Sequence, residues 1–419
     1  MFPDGLPTRI LEDTGTEPGA LALLAFALHE LYQARTPGGE LAAQAYDSFG
    51  GVKRAIGKRA EAAFEKLPPA SKPLLNNVFR ELVDVNELGV STRRRAELAR
   101  VASTDDTRVI IDAFAAAHLL ITDRQPDGTP VVEVAHEALL REWPRLAGWI
   151  RRFIDDLRTM RQAEAAAAEW ARSNRLAIQL WPHERLVPVY AALEQLGIDP
   201  ASLRDPVKTF LRPEAERLLD ELEFSKTTPP RRAEIGDRLD RIGDPRPGVQ
   251  LRADGLPDIV WCNVPGGTVR LKGANGKFTV KPFAIAKYLV TYNQYKVFLD
   301  DRHGYRDKRW WSGLTHKKPG EQYRPTGNCP ADCVSWYDAV AFCRWLDARL
   351  RDRGEVPTGY EVRLPTEPEW QQAFTSGCAT YRYPWGEVIG GVSSAPQKTE
   401  RIRAPVAPAA IKPTNVRKG

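Results

Sequence analysis

Cysteine is scarce in this sequence, five residues in 419. That is too few for a disulfide scaffold at this length, and reduced thiols are the expectation. Long apolar runs are missing too. No stretch approaches the ~18 consecutive apolar residues of a membrane span, and the first twenty residues lack the apolar core of a secretory signal. A soluble, cytoplasmic chain with no membrane partner is expected. Aromatics vanish after Gly386: the last 33 residues hold none, but do hold Pro396, Pro405, Pro408 and Pro413. Such a run buries too little apolar area to offset its ordering entropy, so residues 387–419 are expected to be a disordered basic tail. Charge of one sign is also in short supply. Of the formal +6, a net +4 falls within residues 387–419, leaving +2 on the first 386. That surplus is no footprint for a duplex, and nucleic acid is disfavoured as a partner.

What is present is ordinary globular material, 42% hydrophobic and 27% charged, which excludes wholesale disorder and a collagen-like fibre. At roughly 100–200 residues per domain the length implies two to four domains. Two halves differ in kind. All five cysteines (Cys262, Cys329, Cys333, Cys343, Cys378) and seven of the eleven tryptophans follow residue 260, whereas the first 225 residues are rich in Ala, Leu, Arg and Glu and read as successive helices. Between them, residues 226–257 are rich in Pro and Gly and read as a semi-rigid linker, with one short helix around 233–242.

Within the helical half, the run at 19–32 is apolar almost all round and predicts a buried helix. Helices are expected near 52–66, 72–83 and 107–117. The period then changes: 119–124 and 131–135 are strand-like and flank a turn containing Asp127-Gly128, a hairpin signal. Helices followed by a hairpin give the order of a winged-helix unit. The helix before the wing offers only Arg108 as a base over 105–118, which argues against DNA reading. After Pro144, the apolar residues Leu146, Trp149, Ile150, Phe153, Ile154, Leu157 and Met160 recur at threes and fours, predicting one face of a long helix.

Three motifs in this half, EPGALALL at 17–24, FGGV at 49–52 and VEVAHEALLREWP at 132–144, resemble the region that follows the nucleotide-binding domain of bacterial STAND NTPases. The resemblance covers roughly residues 1–225. It implies an NTPase domain as partner, in the same or a separate chain, and makes His136 the position that senses the nucleotide phosphates. An imidazole can donate a hydrogen bond to an anion; capping or filling the hairpin–helix junction is the alternative role for His136. Two departures stand out. Ala22 occupies the place of a family proline expected on the adenine, and no G-x-x-x-x-G-K-[ST] phosphate loop occurs. Without that loop nothing polarises a γ-phosphate, so this chain by itself is expected not to hydrolyse ATP.

The second half resembles the formylglycine-generating-enzyme, or sulfatase-modifying-factor, domain through five ordered motifs. They are VPGGT at 264–268, FAIAKYLVTYNQY at 283–295, VSWYDAVAFCRWL at 334–346, RLPTEPEW at 363–370 and YPWG at 383–386. The resemblance implies an α+β, C-type-lectin-like fold. Ser335 with Asp338, and Thr366 with Glu369, read as capping boxes. Trp336, Ala339, Val340, Cys343, Leu346 and Leu350 are expected on one helix face, and Trp370 with Phe374 on another. In the enzymes of this family two cysteines and metal-ligating groups lie after YPWG, together with Gly-Asn-x-W-E-W and Arg-Gly-Gly-Ser-Trp segments that this sequence does not contain. The domain is therefore expected to be partial. No catalytic residue, metal site or cofactor is assigned, with copper or calcium expected only if the second half is supplied.

Other clusters read as structural. Cys329 and Cys333 near His316 lack a second close ligand pair for zinc, and their spacing is not that of a redox Cys-x-x-Cys pair. The YRDKRWW run at 305–311 mixes bases and aromatics as a nucleic-acid stacking surface does, but fits a packed surface loop of the family. The expected architecture is multidomain, a mostly α N-terminal half with a winged helix followed by a partial lectin-like α+β domain. Residues 1–60 form a helical region that follows an absent NTPase domain, 61–144 the winged-helix-like unit and 145–225 a long helix with further helices. Residues 226–257 form the linker, 258–386 the partial domain and 387–419 the tail. The expected function is a non-catalytic STAND-type sensor or regulatory unit with a protein or peptide ligand. A formylglycine-generating oxidase and a winged-helix DNA-binding regulator are the alternatives.

Overall fold

A computed structural model describes residues 5–14, 20–49, 51–86, 88–271, 276–316, 318–375 and 410–413. The chain divides into two compact units, residues 1–212 and 213–419, and about half of it is helical with small sheets.

In the first unit, α1 (Leu6–Thr14), α2 (Ala20–Gln33), α3 (Ala43–Phe49) and α4 (Gly51–Glu65) pack around Leu6, Ile10, Ala27, Leu31 and Tyr46. Of the run at 19–32, residues 20–32 are helical as expected but not buried all round. Ala27 and Leu31 face inward, while Tyr32 is 56% exposed beneath the guanidinium of Arg35. Gly57 on α4 packs directly against the backbone at the end of α8. A Cβ there would collide with the Glu142 carbonyl, so glycine lets the two backbones touch.

Next come α5 (Leu75–Leu82), β1 (Val83–Val85), β2 (Ser91–Arg93), β3 (Ala96–Glu97), α6 (Leu98–Val101), α7 (Asp105–Ala116), β4 (Leu120–Arg124), β5 (Pro130–Val134) and α8 (Ala138–Glu142). Thr104 and Thr107 form a capping box that starts α7. The hairpin predicted from Asp127-Gly128 is present: β4 and β5 pair antiparallel, Leu120 opposite Val134 and Arg124 opposite Pro130. Gly128 takes the left-handed φ of +85° that the turn requires. Strand β3 adds to the other edge of β5.

The long helix predicted after Pro144 is two helices, α9 (Pro144–Arg152) and α10 (Ile154–Arg172), broken at Phe153 (φ −114°, ψ 20°). The apolar period runs through the break because Leu146, Ile150 and Leu157 all enter one core with Trp143, Phe79 and Phe114. Beyond it, α10 passes into a second core shared with α11 (His183–Gln195) and α12 (Val207–Phe210), built on Met160, Trp170, Trp181, Leu186 and Phe210.

A charged network ties α10 down. Glu164 meets Arg94 at 2.9 Å, Arg100 at 3.0 Å and Arg161 at 2.8 Å, and Glu81 meets Arg100 at 2.6 Å. Burial works against ionisation of Glu164, yet Arg161, Arg94 and Arg100 together outweigh it and hold its carboxyl below the usual carboxylate range.

The second unit opens with α13 (Glu214–Glu223) and α14 (Pro229–Ile242), which close on each other through Leu218, Ile235 and Leu239. The helix expected at 233–242 begins at Pro229, since proline is pre-set for a first turn. There follow β6 (Trp261–Val264), β7 (Gly267–Val269), β8 (Phe278–Val280), β9 (Phe283–Ala286), α15 (Tyr292–Asp300), α16 (Trp336–Arg351), β10 (Tyr360–Arg363), α17 (Glu367–Phe374) and β11 (Ala410–Pro413). One sheet has the order β10-β11-β9-β6, antiparallel throughout, and β7 pairs with β8 in a hairpin. The core gathers Phe298, Tyr295, Phe342, Trp345, Leu346 and Leu350 under α15 and α16.

Three expectations are corrected here. Of the predicted tail, residues 387–409 and 414–419 lie outside the described residues, but Ala410–Pro413 form β11 in the middle of the sheet. Strand pairing needs only backbone donors and acceptors, which an aromatic-free run supplies as well as any other. Trp336 is 62% exposed, although it was expected on the inward face of α16, and Trp370 is also exposed. Both lie in the first turn of their helices, where the i, i+3, i+4 pattern has only one neighbouring turn to bury against.

Candidate functional site

In the first unit, His136 sits between the end of β5 and the start of α8. Its position is fixed by backbone on both sides: Ala135 N–H donates to Leu119 O at 2.9 Å, and His136 O accepts from Leu139 N–H at 3.0 Å. The ring is half-buried and has no hydrogen-bond partner among the described residues. Nor does a side chain cap α8, so His136 is not a helix cap. Burial, aided by the charge of Arg93, pushes the imidazole below its ordinary pKa and so favours its uncharged form. An uncharged imidazole carries one N–H and is a ready donor to an incoming anion. Ala22, the second position singled out in this half, lies on α2.

The rest of the 132–144 motif is structural. Trp143 is fully buried against Phe64, Phe79 and Phe114, with ring centroids 5.5–6.4 Å apart. Its indole N–H donates to Glu61 at 2.7 Å. Arg145, with help from Trp143, holds the Glu61 carboxyl below the usual range.

In the second unit the motif residues are committed to scaffold. The Ser335 N–H donates to Asp338 at 2.8 Å, and Asp338 N–H donates back to the Ser335 hydroxyl at 3.2 Å. Asp338 also takes the buried Tyr305 hydroxyl at 2.6 Å. Burial first, and Asp338 second, push that phenol well above its ordinary pKa. Glu369, 1% exposed, is gripped by both terminal nitrogens of Arg363 at 2.8 and 2.9 Å and accepts the Thr366 N–H at 2.7 Å. The RLPTEPEW motif thus ties β10 to α17.

A capping box not singled out from sequence organises the entry to the domain. Gln294 accepts the Thr291 N–H at 3.0 Å, and its amide donates to Gly248 O, Gln250 O and Asp258 O. The T-x-x-Q spacing was its legible signal. Residues 248–257, expected as linker, are pinned to α15 this way together with Asp258. The loop at 326–329 is held in turn by α14: Asn328 N–H donates to Asp240 at 2.8 Å, and its side-chain amide donates to Gly236 O at 2.9 Å and Asp244 at 3.1 Å.

The cysteines are separate thiols. Cys262 and Cys333 are exposed, Cys329 is half-buried and Cys343 is buried, while Cys378 lies outside the described residues. Burial and the nearby Asp237 push Cys329 up, and burial pushes Cys343 up to about 12. His316 stacks on Trp311 at 4.1 Å. Among the described residues no three His, Cys, Asp or Glu side chains converge as a metal-holding group, and no helix is long and apolar enough to cross a membrane. The YRDKRWW run at 305–311 is a folded loop, the Trp311 indole N–H donating to Tyr305 O at 2.7 Å.

Comparison with known proteins agrees with these two divisions. Residues 1–177 match the family model "Novel STAND NTPase 1", and residues 252–409 match the "Sulfatase-modifying factor enzyme 1-like domain". The chain thus joins an nSTAND1 region to a sulfatase-modifying-factor-like domain. A formylglycine-generating enzyme from Thermomonospora curvata is 27% identical over 171 residues, 30% of this chain and 52% of that protein. A hercynine oxygenase from Mycolicibacterium thermoresistibile is 30% identical over 154 residues, 30% of each chain. An inactive C-alpha-formylglycine-generating enzyme 2 from Mus musculus is 27% identical over 180 residues, 33% of this chain and 54% of that protein. The chain spans about half or less of the length of these relatives.

Proposed function

We propose that this chain is a non-catalytic regulatory or sensor unit in which the sulfatase-modifying-factor-like domain recognises a ligand and the STAND-type half relays it. The observation that carries this reading is how the shared motifs are used. Ser335, Asp338, Arg363, Thr366 and Glu369 are spent on helix caps and a buried ion pair, and Cys343 is a buried core thiol. These groups build a scaffold. That one curated relative is named an inactive formylglycine-generating enzyme supports the same reading.

In the first unit we read residues 61–144 as a winged-helix-like unit with the β4–β5 hairpin as its wing. The exposed face of α7 carries Asp105 and Asp112 beside Arg108, the wrong charge for a phosphate backbone and an argument for an interdomain role. His136, unpartnered and favoured in its uncharged form, is then the phosphate-sensing group toward an NTPase domain in the same or a separate chain. A cytoplasmic location and a C-type-lectin-like fold for the second domain belong to the same proposal.

A second reading, formylglycine-generating oxidase, is favoured by the name of the Thermomonospora curvata relative. One assay separates the two. The full chain is incubated with copper, oxygen and a Cys-x-Pro-x-Arg peptide, and peptide mass is followed. No conversion beyond the protein-free control is expected; clear conversion overturns the non-catalytic reading.

A further inference from the structure

The second unit contains a cavity of about 610 Å³ lined by Leu299, Tyr305, Arg306, His316, Lys318 and Pro319. It lies within the residues 252–409 that match the family model, but outside the five motifs set out above. Its volume lies in the range of small-molecule sites and is roomier than a bare inorganic anion needs.

The walls are held in place by the chain around them. Tyr305 N–H donates to Phe298 O at 2.8 Å, and Arg344 donates to Trp310 O at 3.0 Å and Ser312 O at 2.8 Å. Tyr305 is itself 4% exposed and its hydroxyl is taken by Asp338, so it is a fixed part of the wall. His316 lies flat on Trp311, which sets the plane of the imidazole, and its ring centroid is 5.3 Å from that of Tyr305.

The charges are lopsided. No carboxylate is among the described residues that line the cavity. Of those nearby, Asp300 pairs with Lys296, Asp301 with Arg349, Asp307 with Arg309, and Asp338 with Ser335 and Tyr305, while Glu321 is exposed to solvent. Arg306 and Lys318 have no hydrogen-bond or ion-pair partner among the described residues. Two unpaired cations over aromatic and aliphatic walls make a site for one kind of ligand.

We propose that this cavity binds a small organic anion with a planar aromatic body, its carboxylate or phosphate between Arg306 and Lys318 and its ring against Tyr305 and His316. It names the ligand class for the recognition role proposed above, and as a signal-receiving site it rests on that reading. Binding is measured on the full chain by calorimetry with indole-3-acetate, phenyl phosphate, indole and acetate as probes. At least one aromatic anion saturates, and the one that binds tighter tells a carboxylate ligand from a phosphate one. Indole and acetate each bind at least about tenfold more weakly, as does the tighter aromatic anion to the R306A/K318A double variant. Thermal melting of that variant matches the parent, because both side chains are exposed and unpaired. The proposal is overturned if neither aromatic anion saturates, if indole binds as well as its carboxylate, or if the double variant binds unchanged. Conversion of the Cys-x-Pro-x-Arg peptide alongside intact anion binding would instead overturn only the non-catalytic reading.

Discussion

The Asp240 carboxylate accepts the backbone N–H of Asn328 at 2.8 Å, across 88 residues of sequence. The Asn328 side chain completes the joint on Gly236 O and on Asp244, itself nearly inaccessible. Gly327 allows the approach, since a Cβ there would collide with Asn293 and Asp240. Helix α14 is therefore part of the second unit rather than a loose connector.

Removing that side chain tests the joint. Asn328→Ala removes the amide's bonds to the Gly236 carbonyl and to Asp244, at a cost of about 1–3 kcal/mol. Hydrogen exchange across α14 should accelerate while exchange in the first unit's helices is unchanged. Unaltered protection of α14 would show that the joint does not hold the helix.

Thiol reactivity provides a second check, read as the mass of iodoacetamide adducts over time. Cys333 and Cys262 are exposed and should alkylate first. Cys329 should lag, because burial and Asp237 disfavour its thiolate, and Cys343, pushed up to about 12, should label only on unfolding. Rapid labelling of Cys329 in the folded protein would contradict its placement against α14.

What sequence made legible follows from range. The β4–β5 hairpin and the Ser335 cap are local rules acting over a few residues, and both appear where Asp127-Gly128 and Ser335-x-x-Asp338 place them. Periodicity alone could not reveal the break at Phe153, because α9 and α10 present the same apolar face to one core. Strand β11 was illegible for a different reason: its pairing partners, β10 and β9, are set by distant backbone rather than by its own composition. His136 was found through a resemblance, yet its lack of a partner emerges only from burial and neighbours. The cavity beside Tyr305 was out of reach, since it depends on how residues 299, 305–306 and 316–319 come together in the fold.

Glu164 should make the first unit acid-sensitive. Its folded-state pKa lies below the unfolded value, so it contributes stability above the ordinary carboxylate range and loses it as pH falls through that range and below. Urea unfolding of the first unit followed by far-UV circular dichroism, from neutral to acid pH, should show the midpoint dropping. Glu164→Gln deprives Arg94, Arg100 and Arg161 of their shared counter-charge and should cost about 3–5 kcal/mol at neutral pH. The variant should also flatten the acid limb. A parallel pH profile in parent and variant would show that another carboxylate governs it.

Two glycines in helices of the first unit should respond to alanine with opposite signs. Gly57 lies on α4, where an added methyl meets the Glu142 carbonyl, a backbone atom that cannot rotate away. Gly57→Ala must push α4 from α8 and disturb Trp143, whose indole is anchored to Glu61 on the same helix. A loss of about 1–3 kcal/mol is expected, as for overpacking elsewhere. Gly148 lies inside α9 with nothing near its Cβ position, so Gly148→Ala meets no clash and reduces the freedom of the unfolded chain. It should stabilise by about 0.5–1 kcal/mol. Urea midpoints of the two variants, set against the parent, read both effects with a shared unfolded-state model. If Gly57→Ala proved as stable as Gly148→Ala, the close approach of α4 to the 132–144 motif would be refuted, and with it the structural role assigned to Trp143.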